Sequence, residues 1–161
     1  MQITNAILIV EPKSKKVSSS AGHALMNNHP YGAARIKQAN DNTLQLLEVV
    51  KSGDWNQFFD VAENEALSLH ALMMSSNPGY TLLHPNSLKI IEEVRKARNE
   101  NKLPVGFSMD AGPNVHLLYP KYEESKILPW IENKIRPLCH QHTIIFDLLG
   151  NGPKKTDIHE L

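Results

Sequence analysis

The sequence predicts an α+β domain in which helices pack on one face of a small antiparallel sheet. Four short apolar runs have the length of strands and are too short for helices. Three longer segments repeat apolar residues every three or four positions, as amphipathic helices do. A fourth helix-length segment, 121–137, separates the last two runs. The predicted order is therefore strand, three helices, two strands, helix, strand.

The predicted strands are bounded by residues that end regular structure. Pro12 closes the first run, and a Gly-Pro-Asn sequence separates the second run from the third. The four predicted strands are Ala6–Glu11, Val105–Met109, Val115–Tyr119 and Thr143–Leu148.

The first two predicted helices form an antiparallel pair with a tight connection. Gly32–Lys51 has helical periodicity, Ser52-Gly53 ends it, and Asp54 with Gln57 is typical of a new helix N-terminus. The expected core positions are Ile36, Ala39, Thr43, Leu46, Leu47 and Val50 in the first helix, and Phe58, Phe59, Ala62, Ala66, Leu69 and Met73 in the second. His70 lies beside the second stripe, where a hydrogen-bonded structural histidine is favoured over a catalytic one.

The third and fourth helices complete the predicted domain. Pro85 or Asn86 begins the third helix, and Pro129 either starts or kinks the fourth. The expected inner positions are Leu88, Ile91 and Val94 in the third helix, and Ile127, Trp130, Ile131 and Ile135 in the fourth. Residues 1–150 then form the domain, and 151–161 form a polar C-terminal tail.

Composition excludes several functional classes. The 161 residues are 41% apolar, which suits one globular domain, and 17 basic residues balance 17 acidic ones. This balance gives no overall field for nucleic acid or an anionic membrane. No apolar run approaches the ~20 residues that span a bilayer, and no cationic region precedes Ile7–Val10. With its single cysteine, Cys139, the chain is expected to be soluble and cytoplasmic.

The segment Pro104–Tyr119 has the strongest functional pattern. Its two predicted strands flank an Asp-Ala-Gly-Pro-Asn corner, so the carboxylate of Asp110 lies where the first strand ends. A strand end next to a glycine is rigid and lets a ligand approach the backbone. The alternative is that Asp110 only caps the turn.

A second candidate site follows the first predicted strand. Lys15 and Lys16 precede Ser18–Ser20, and a short helix is predicted to begin nearby. Hydroxyls, free N–H groups and lysine charges at a helix start favour an anion. The alternative is that the serines only cap the turn. The histidines His140 and His142 alone do not make a metal site, so none is expected.

These segments together resemble the mevalonate diphosphate decarboxylases of the GHMP kinase superfamily. Met-Asp-Ala-Gly-Pro-Asn-Val at 109–115 matches one motif, and Lys15 to Gly22 looks like the Lys-x-Val-Ser-Ser-x-x-Gly segment. Leu69-His70-Ala71 matches the family's Phe-His-Ala, and Pro78 follows at the family's distance. The resemblance implies the ferredoxin-like two-layer sandwich of the GHMP C-terminal domain.

The resemblance also implies an activity and its residues. The family converts mevalonate 5-diphosphate to isopentenyl diphosphate with ATP, in isoprenoid biosynthesis by the mevalonate pathway. By the match, Asp110 is the catalytic residue at the 3-hydroxyl group, and Lys15, Ser19 and Ser20 bind the substrate. Lys15 either steadies Asp110 or contacts phosphate. Ser20 departs from relatives that carry arginine or threonine there.

The resemblance covers only the second half of such enzymes. The chain has no Gly/Ser-rich phosphate loop of the GHMP type and no counterpart of the N-terminal phosphate-binding arginine. We therefore expect an excised domain or truncated reading frame that is inactive alone, with ATP and Mg²⁺ bound mainly by a missing N-terminal half. The resemblance further implies a homodimer. The alternatives are a fragment of a GHMP small-molecule kinase, or a non-catalytic GHMP-C-like binding or dimerisation module.

Overall fold

The structure, a computed structural model, describes residues 1–12, 29–148 and 150. Its strands are β1 (Ile3–Leu8), β2 (Gly106–Ser108), β3 (Val115–Pro120) and β4 (Ile144–Leu148). They form one antiparallel sheet in the order β2-β3-β1-β4. Its α-helices are α1 (Gly32–Ser52), α2 (Trp55–Met74), α3 (Pro85–Asn101) and α4 (Glu124–Trp130). The predicted ferredoxin-like α+β sandwich is confirmed.

The boundaries of the first three helices follow local signals in the sequence. Gly53 adopts a φ of 80° and donates its N–H to the carbonyl of Val49, which ends α1. The Asp54 side chain accepts from the Gln57 N–H at 3.1 Å and caps α2. Pro85 is the first residue of α3, where its missing N–H costs nothing. All three features were predicted.

The first strand lies three residues earlier than the predicted Ala6–Glu11. Pairing with β3 runs from Ile3 opposite Pro120 to Leu8 opposite Val115. Beyond Leu8, the backbone N–H groups of Val10 and Glu11 bond to a side chain instead of a strand. Apolarity predicted the strand, whereas its end depends on contacts distant in sequence.

The helix predicted over 121–137 changes its winding several times. A 3₁₀ turn at Lys121–Glu123 precedes α4, a π-helical turn at Ile131–Ile135 follows it, and a 3₁₀ turn at Arg136–Leu138 ends it. Pro129 lies inside α4, where it has no N–H to donate and crowds the preceding turn. The π-helical turn begins two residues after Pro129. A 3₁₀ turn, His140–His142, leads to β4.

The main core lies between one face of the sheet and the helices α3 and α4. Alternate residues of β1 are buried, as expected for a strand with one covered face. The buried residues of this cluster include Ala6, Leu8, Phe107, Leu117 and Tyr119 from the sheet, Ile90, Ile91, Val94 and Ala97 from α3, and Ile127, Ile131 and Ile135 from α4 and the turn after it. The predicted inner face of the fourth helix is confirmed.

The inner face predicted for α1 is largely wrong. Of the predicted positions, Ile36 and Leu47 are 67% and 55% exposed, whereas the buried residue of this helix is Val49, which was not predicted. Val49 packs with Phe58 and Phe59 of α2 in a second, smaller cluster. The expected core face of α2 is confirmed in Phe58, Phe59, Ala66 and Met73, whereas Leu88 of α3 is exposed. Periodicity identified these helices but not which apolar positions are covered.

An ion pair links α2 to α3. Arg98 donates from Nη1 and Nη2 to the two carboxylate oxygens of Glu63, at 2.5 and 2.9 Å, and from Nη1 to the Val105 carbonyl at 3.0 Å. Glu63 is buried, and the hydrogen bond to it raises the pKa of the Arg98 guanidinium. Two parallel bonds to a carboxylate fix orientation as well as distance.

The cysteine of the chain lies in the main core. Cys139 is 6% exposed, and its Sγ donates to the Ile135 carbonyl at 3.6 Å. Burial raises the pKa of its thiol to about 11, although nearby Arg136 opposes this shift.

Candidate functional site

The corner Asp110–Asn114 joins β2 to β3 at one end of the sheet. Asp110 is exposed, and its carbonyl accepts the N–H of Gly112 at 2.8 Å. The predicted arrangement of two strands, a tight corner and a carboxylate at the exit of the first strand is confirmed for the backbone. The corner is also held by one side chain of α2, by one side chain of α3, and by its own Asn114, which bonds to the residues that follow β1.

Helix α2 lies close to β2 because Gly106 has no side chain. A Cβ atom at Gly106 would lie 2.2 Å from Cδ1 of Phe59, which is closer than atoms can approach. Phe59 is fully buried against this backbone. The close packing brings α2 alongside the strand that leads to Asp110.

His70 of α2 holds the backbone of the corner. It is 2% exposed, and its Nε2 lies 3.1 Å from the Asp110 carbonyl oxygen. Since a carbonyl only accepts, the proton of this hydrogen bond lies on Nε2. The predicted hydrogen bond of His70 is therefore confirmed, and the group it contacts belongs to the candidate catalytic residue.

Ser87 of α3 holds the other side of the same corner. Its hydroxyl donates to the Pro113 carbonyl at 2.5 Å, and its Oγ accepts the His84 N–H at 3.3 Å. Ser87 is fully buried. The same serine therefore completes the N-terminal cap of α3 and fixes the corner to that helix.

Asn114 connects the corner to the exit of β1. Its Oδ1 accepts two backbone N–H groups, from Val10 at 2.8 Å and from Glu11 at 3.1 Å. The residues that it joins are 104 and 103 positions away in the sequence. An amide oxygen has two lone pairs, so one side chain satisfies both donors.

The predicted substrate-binding residues Lys15, Ser19 and Ser20 lie outside the described residues. The chain leads toward them from Glu11 and Pro12, beside the corner. Of the predicted site residues, the structure therefore describes Asp110. Sequence reasoning missed Ser87 and the bonds of Asn114, which was interpreted only as a turn residue. A local signal existed for Ser87, three residues after a residue that caps a helix.

The described part of the site offers a carboxylate on a rigid frame. Such a group can orient a hydroxyl and take its proton when a reactant is placed against it. Among the described residues, no group of three or more His, Cys, Asp or Glu side chains is placed to hold a metal ion.

The fold and this corner together define a C-terminal domain of the GHMP kinase superfamily type. A family model, described as the mevalonate 5-diphosphate decarboxylase C-terminal domain, matches residues 5–156. The chain belongs to this family.

Individual proteins agree with the family assignment. A phosphomevalonate decarboxylase of Haloferax volcanii is 32% identical over 84 residues, covering 52% of this chain and 26% of the relative. A diphosphomevalonate decarboxylase of Debaryomyces hansenii is 28% identical over 126 residues, covering 76% of this chain and 32% of the relative. The mevalonate pyrophosphate decarboxylase of Streptococcus pyogenes superposes with a TM-score of 0.82 at 22% identity, covering 96% of this chain and 46% of that one.

The relatives are longer than this chain, and their names give different substrates, phosphomevalonate for one and diphosphomevalonate for another. The chain spans about a third or less of these two curated relatives and less than half of the solved structure. A further structure is that of the mevalonate diphosphate decarboxylase from Enterococcus faecalis, which was solved to describe ATP binding mediated by mevalonate diphosphate. It superposes with a TM-score of 0.76 at 21% identity, covering 89% of this chain and 42% of that one.

No helix in the described ranges is long and apolar enough to cross a membrane.

Proposed function

We propose that this chain is the C-terminal part of an ATP-dependent decarboxylase that converts mevalonate 5-diphosphate to isopentenyl diphosphate. One observation carries the proposal: the exposed Asp110 carboxylate stands on a corner fixed by side chains of α2 and α3 and by its own Asn114, in a chain that matches the decarboxylase family over most of its length.

The chemistry assigned to this chain is performed by Asp110. The carboxylate accepts a hydrogen bond from the tertiary 3-hydroxyl group and takes its proton, which orients and activates an otherwise poor nucleophile. The frame behind Asp110 limits the loss of conformational freedom on binding. Once it has passed this proton on to solvent, the Asp110 carboxylate is negatively charged again and would stabilise positive charge that develops at C3. Following the family motif, Ser19 is assigned to the substrate's phosphates and Ser20 to substrate binding. Lys15 is assigned to the same cleft, where it either steadies Asp110 or contacts phosphate.

We assign ATP and Mg²⁺ mainly to the half of the enzyme that this chain does not contain. When bound, the nucleotide would supply the phosphoryl group that makes the hydroxyl a leaving group. This division is supported by the length of the chain, which spans less than half of the solved decarboxylase chains that it matches. We therefore propose that the 161-residue chain is inactive alone.

A homodimeric cytoplasmic enzyme completes the proposal. The exposed side chains Ile36, Leu44 and Leu47 on α1 support contact with another protein surface, because apolar groups clustered in this way favour burial. The family resemblance suggests the dimer, and the single cysteine of the chain suits a reducing compartment.

The test uses the full-length protein that contains this chain, incubated with ATP and mevalonate 5-diphosphate while CO₂ release is followed. We expect Asp110→Asn to lower turnover by about 10²–10⁴-fold, because the amide cannot take a proton. Asp41→Asn is the matched control, since Asp41 is an exposed carboxylate on α1 paired with Lys37. Equal CO₂ release from the Asp110→Asn variant and the wild type would reject the assigned role.

Other outcomes separate the alternatives. ADP formation without CO₂ would make the protein a kinase, and no turnover of any substrate would favour a binding or dimerisation module. Mevalonate 5-phosphate should be offered in parallel, because the Haloferax volcanii relative is named as a phosphomevalonate decarboxylase. A preference for the monophosphate would retain Asp110 as the base and change the substrate.

A further inference from the structure

We infer that Asn114 is a positioning residue that holds the catalytic corner in register with the exit of β1. The inference rests on the proposed function, because it gives Asn114 a role toward the substrate site. It goes beyond that function by separating two tasks. One is to orient Asp110 itself, and the other is to set the distance between Asp110 and the segment that follows β1.

The position of Asn114 explains why a side chain is needed there. The ladder between β1 and β3 ends with Leu8 opposite Val115, and Asn114 is the next residue outward. Ile9 donates its N–H to Thr143 on the β4 side, at 3.2 Å. The next two donors, Val10 and Glu11, bond to the side chain of Asn114, whose Oδ1 accepts from both. The side chain therefore extends the contact between the two segments past the end of the ladder.

The three side chains that hold the corner connect it to different elements. His70 bonds the Asp110 carbonyl to α2, and Ser87 bonds the Pro113 carbonyl to α3. Asn114 bonds the corner to β1. Loss of His70 would loosen Asp110 while leaving the link to β1 in place. Loss of Asn114 would change the separation between Asp110 and the exit of β1.

This difference predicts different kinetic effects. In the proposed function, substrate-binding residues follow the exit of β1 and the proton is taken at Asp110. A residue that sets the distance between them affects both binding and turnover, whereas a residue that orients Asp110 affects turnover. Small misplacements remote from the reacting atoms are known to cost about 10²-fold.

The kinetic experiment compares four variants in the full-length protein. Asn114→Ala should raise KM and lower kcat, with kcat/KM falling by about 10²-fold. Asn114→Asp keeps an oxygen that accepts both N–H groups and should recover most of the loss. His70→Leu should lower kcat with KM near the wild-type value. Asn40→Ala removes an exposed asparagine of α1 and should behave as the wild type. An Asn114→Ala enzyme with unchanged KM would overturn the inference.

A second measurement does not depend on activity. Amide hydrogen exchange in the 161-residue chain should become faster at Val10 and Glu11 in Asn114→Ala, and stay slow in Asn114→Asp. The Ile9 amide is the internal control, because its acceptor is Thr143. Unchanged exchange at Val10 and Glu11 would overturn the link itself. A wild-type enzyme without CO₂ release would reject the proposed function, and the exchange result would still decide whether the link exists.

Discussion

Helices α1 and α3 have similar amphipathic sequences and very different surroundings. The 21 residues of α1 contain one buried residue, Val49, whereas the 17 residues of α3 contain five. Helix α3 contributes to the main core together with the sheet and α4. Helix α1 contacts mainly its neighbour α2. The difference shows that periodicity predicts a helix with an apolar face, and that only the surrounding structure determines whether this face is covered.

The largest expected effect tests the link between α2 and the well-packed helix α3. Glu63→Ala leaves the Arg98 guanidinium without its buried partner, so the free energy of unfolding should fall by about 3–5 kcal/mol. Urea unfolding of the 161-residue chain measures this change. Glu48→Ala is the matched control in α1, because its pair with Lys51 is exposed and should contribute less than about 1 kcal/mol. Equal losses in the two variants would contradict the comparison.

The second prediction compares one substitution in both helices. Ile90→Ala removes a side chain of α3 that is fully buried and should lower the free energy of unfolding by about 2–5 kcal/mol. Ile36→Ala removes the same side chain from α1, where it is 67% exposed, and should change it by less than about 0.5 kcal/mol. Urea unfolding curves recorded side by side test the difference. A stable Ile90→Ala variant would mean that the main core repacks around the lost volume.

The smallest effect is expected at Leu47, which lies on the exposed side of α1. At low protein concentration, where the chain is monomeric, Leu47→Gln should leave the unfolding free energy within about 0.5 kcal/mol, because the side chain is exposed there. The measurement is urea unfolding at several protein concentrations, with Leu46→Gln, partly buried against the second cluster, as the more costly comparison. A loss at Leu47 that grows with protein concentration would show that another chain covers α1.

Local signals explain how much of the fold the sequence predicted. Gly53, Asp54 and Pro85 mark helix ends through their own backbone and side-chain properties, so those boundaries were predictable. The end of β1 was not, because it depends on Asn114, more than 100 residues away. The winding change after Pro129 was also missed, since several hydrogen-bond patterns can accommodate an internal proline.

The candidate site follows the same division. Asp110 was predicted from a motif contiguous in sequence, and the structure places it at the predicted corner. The residues that hold this corner are His70 of α2, Ser87 of α3 and Asn114 of the corner itself, and their pairing is visible only after folding. The roles predicted for Lys15, Ser19 and Ser20 remain predictions.

The buried cysteine has a practical consequence for labelling the protein with dyes. Thiol-directed dyes react with thiolates, and Cys139 in the folded chain is both covered and protonated at neutral pH. A cysteine introduced at an exposed position such as Leu47 would therefore be labelled selectively without first removing the native one. A fluorophore placed there would report on the binding of another protein surface to α1. The slow labelling rate of Cys139 would measure how often the core around it opens.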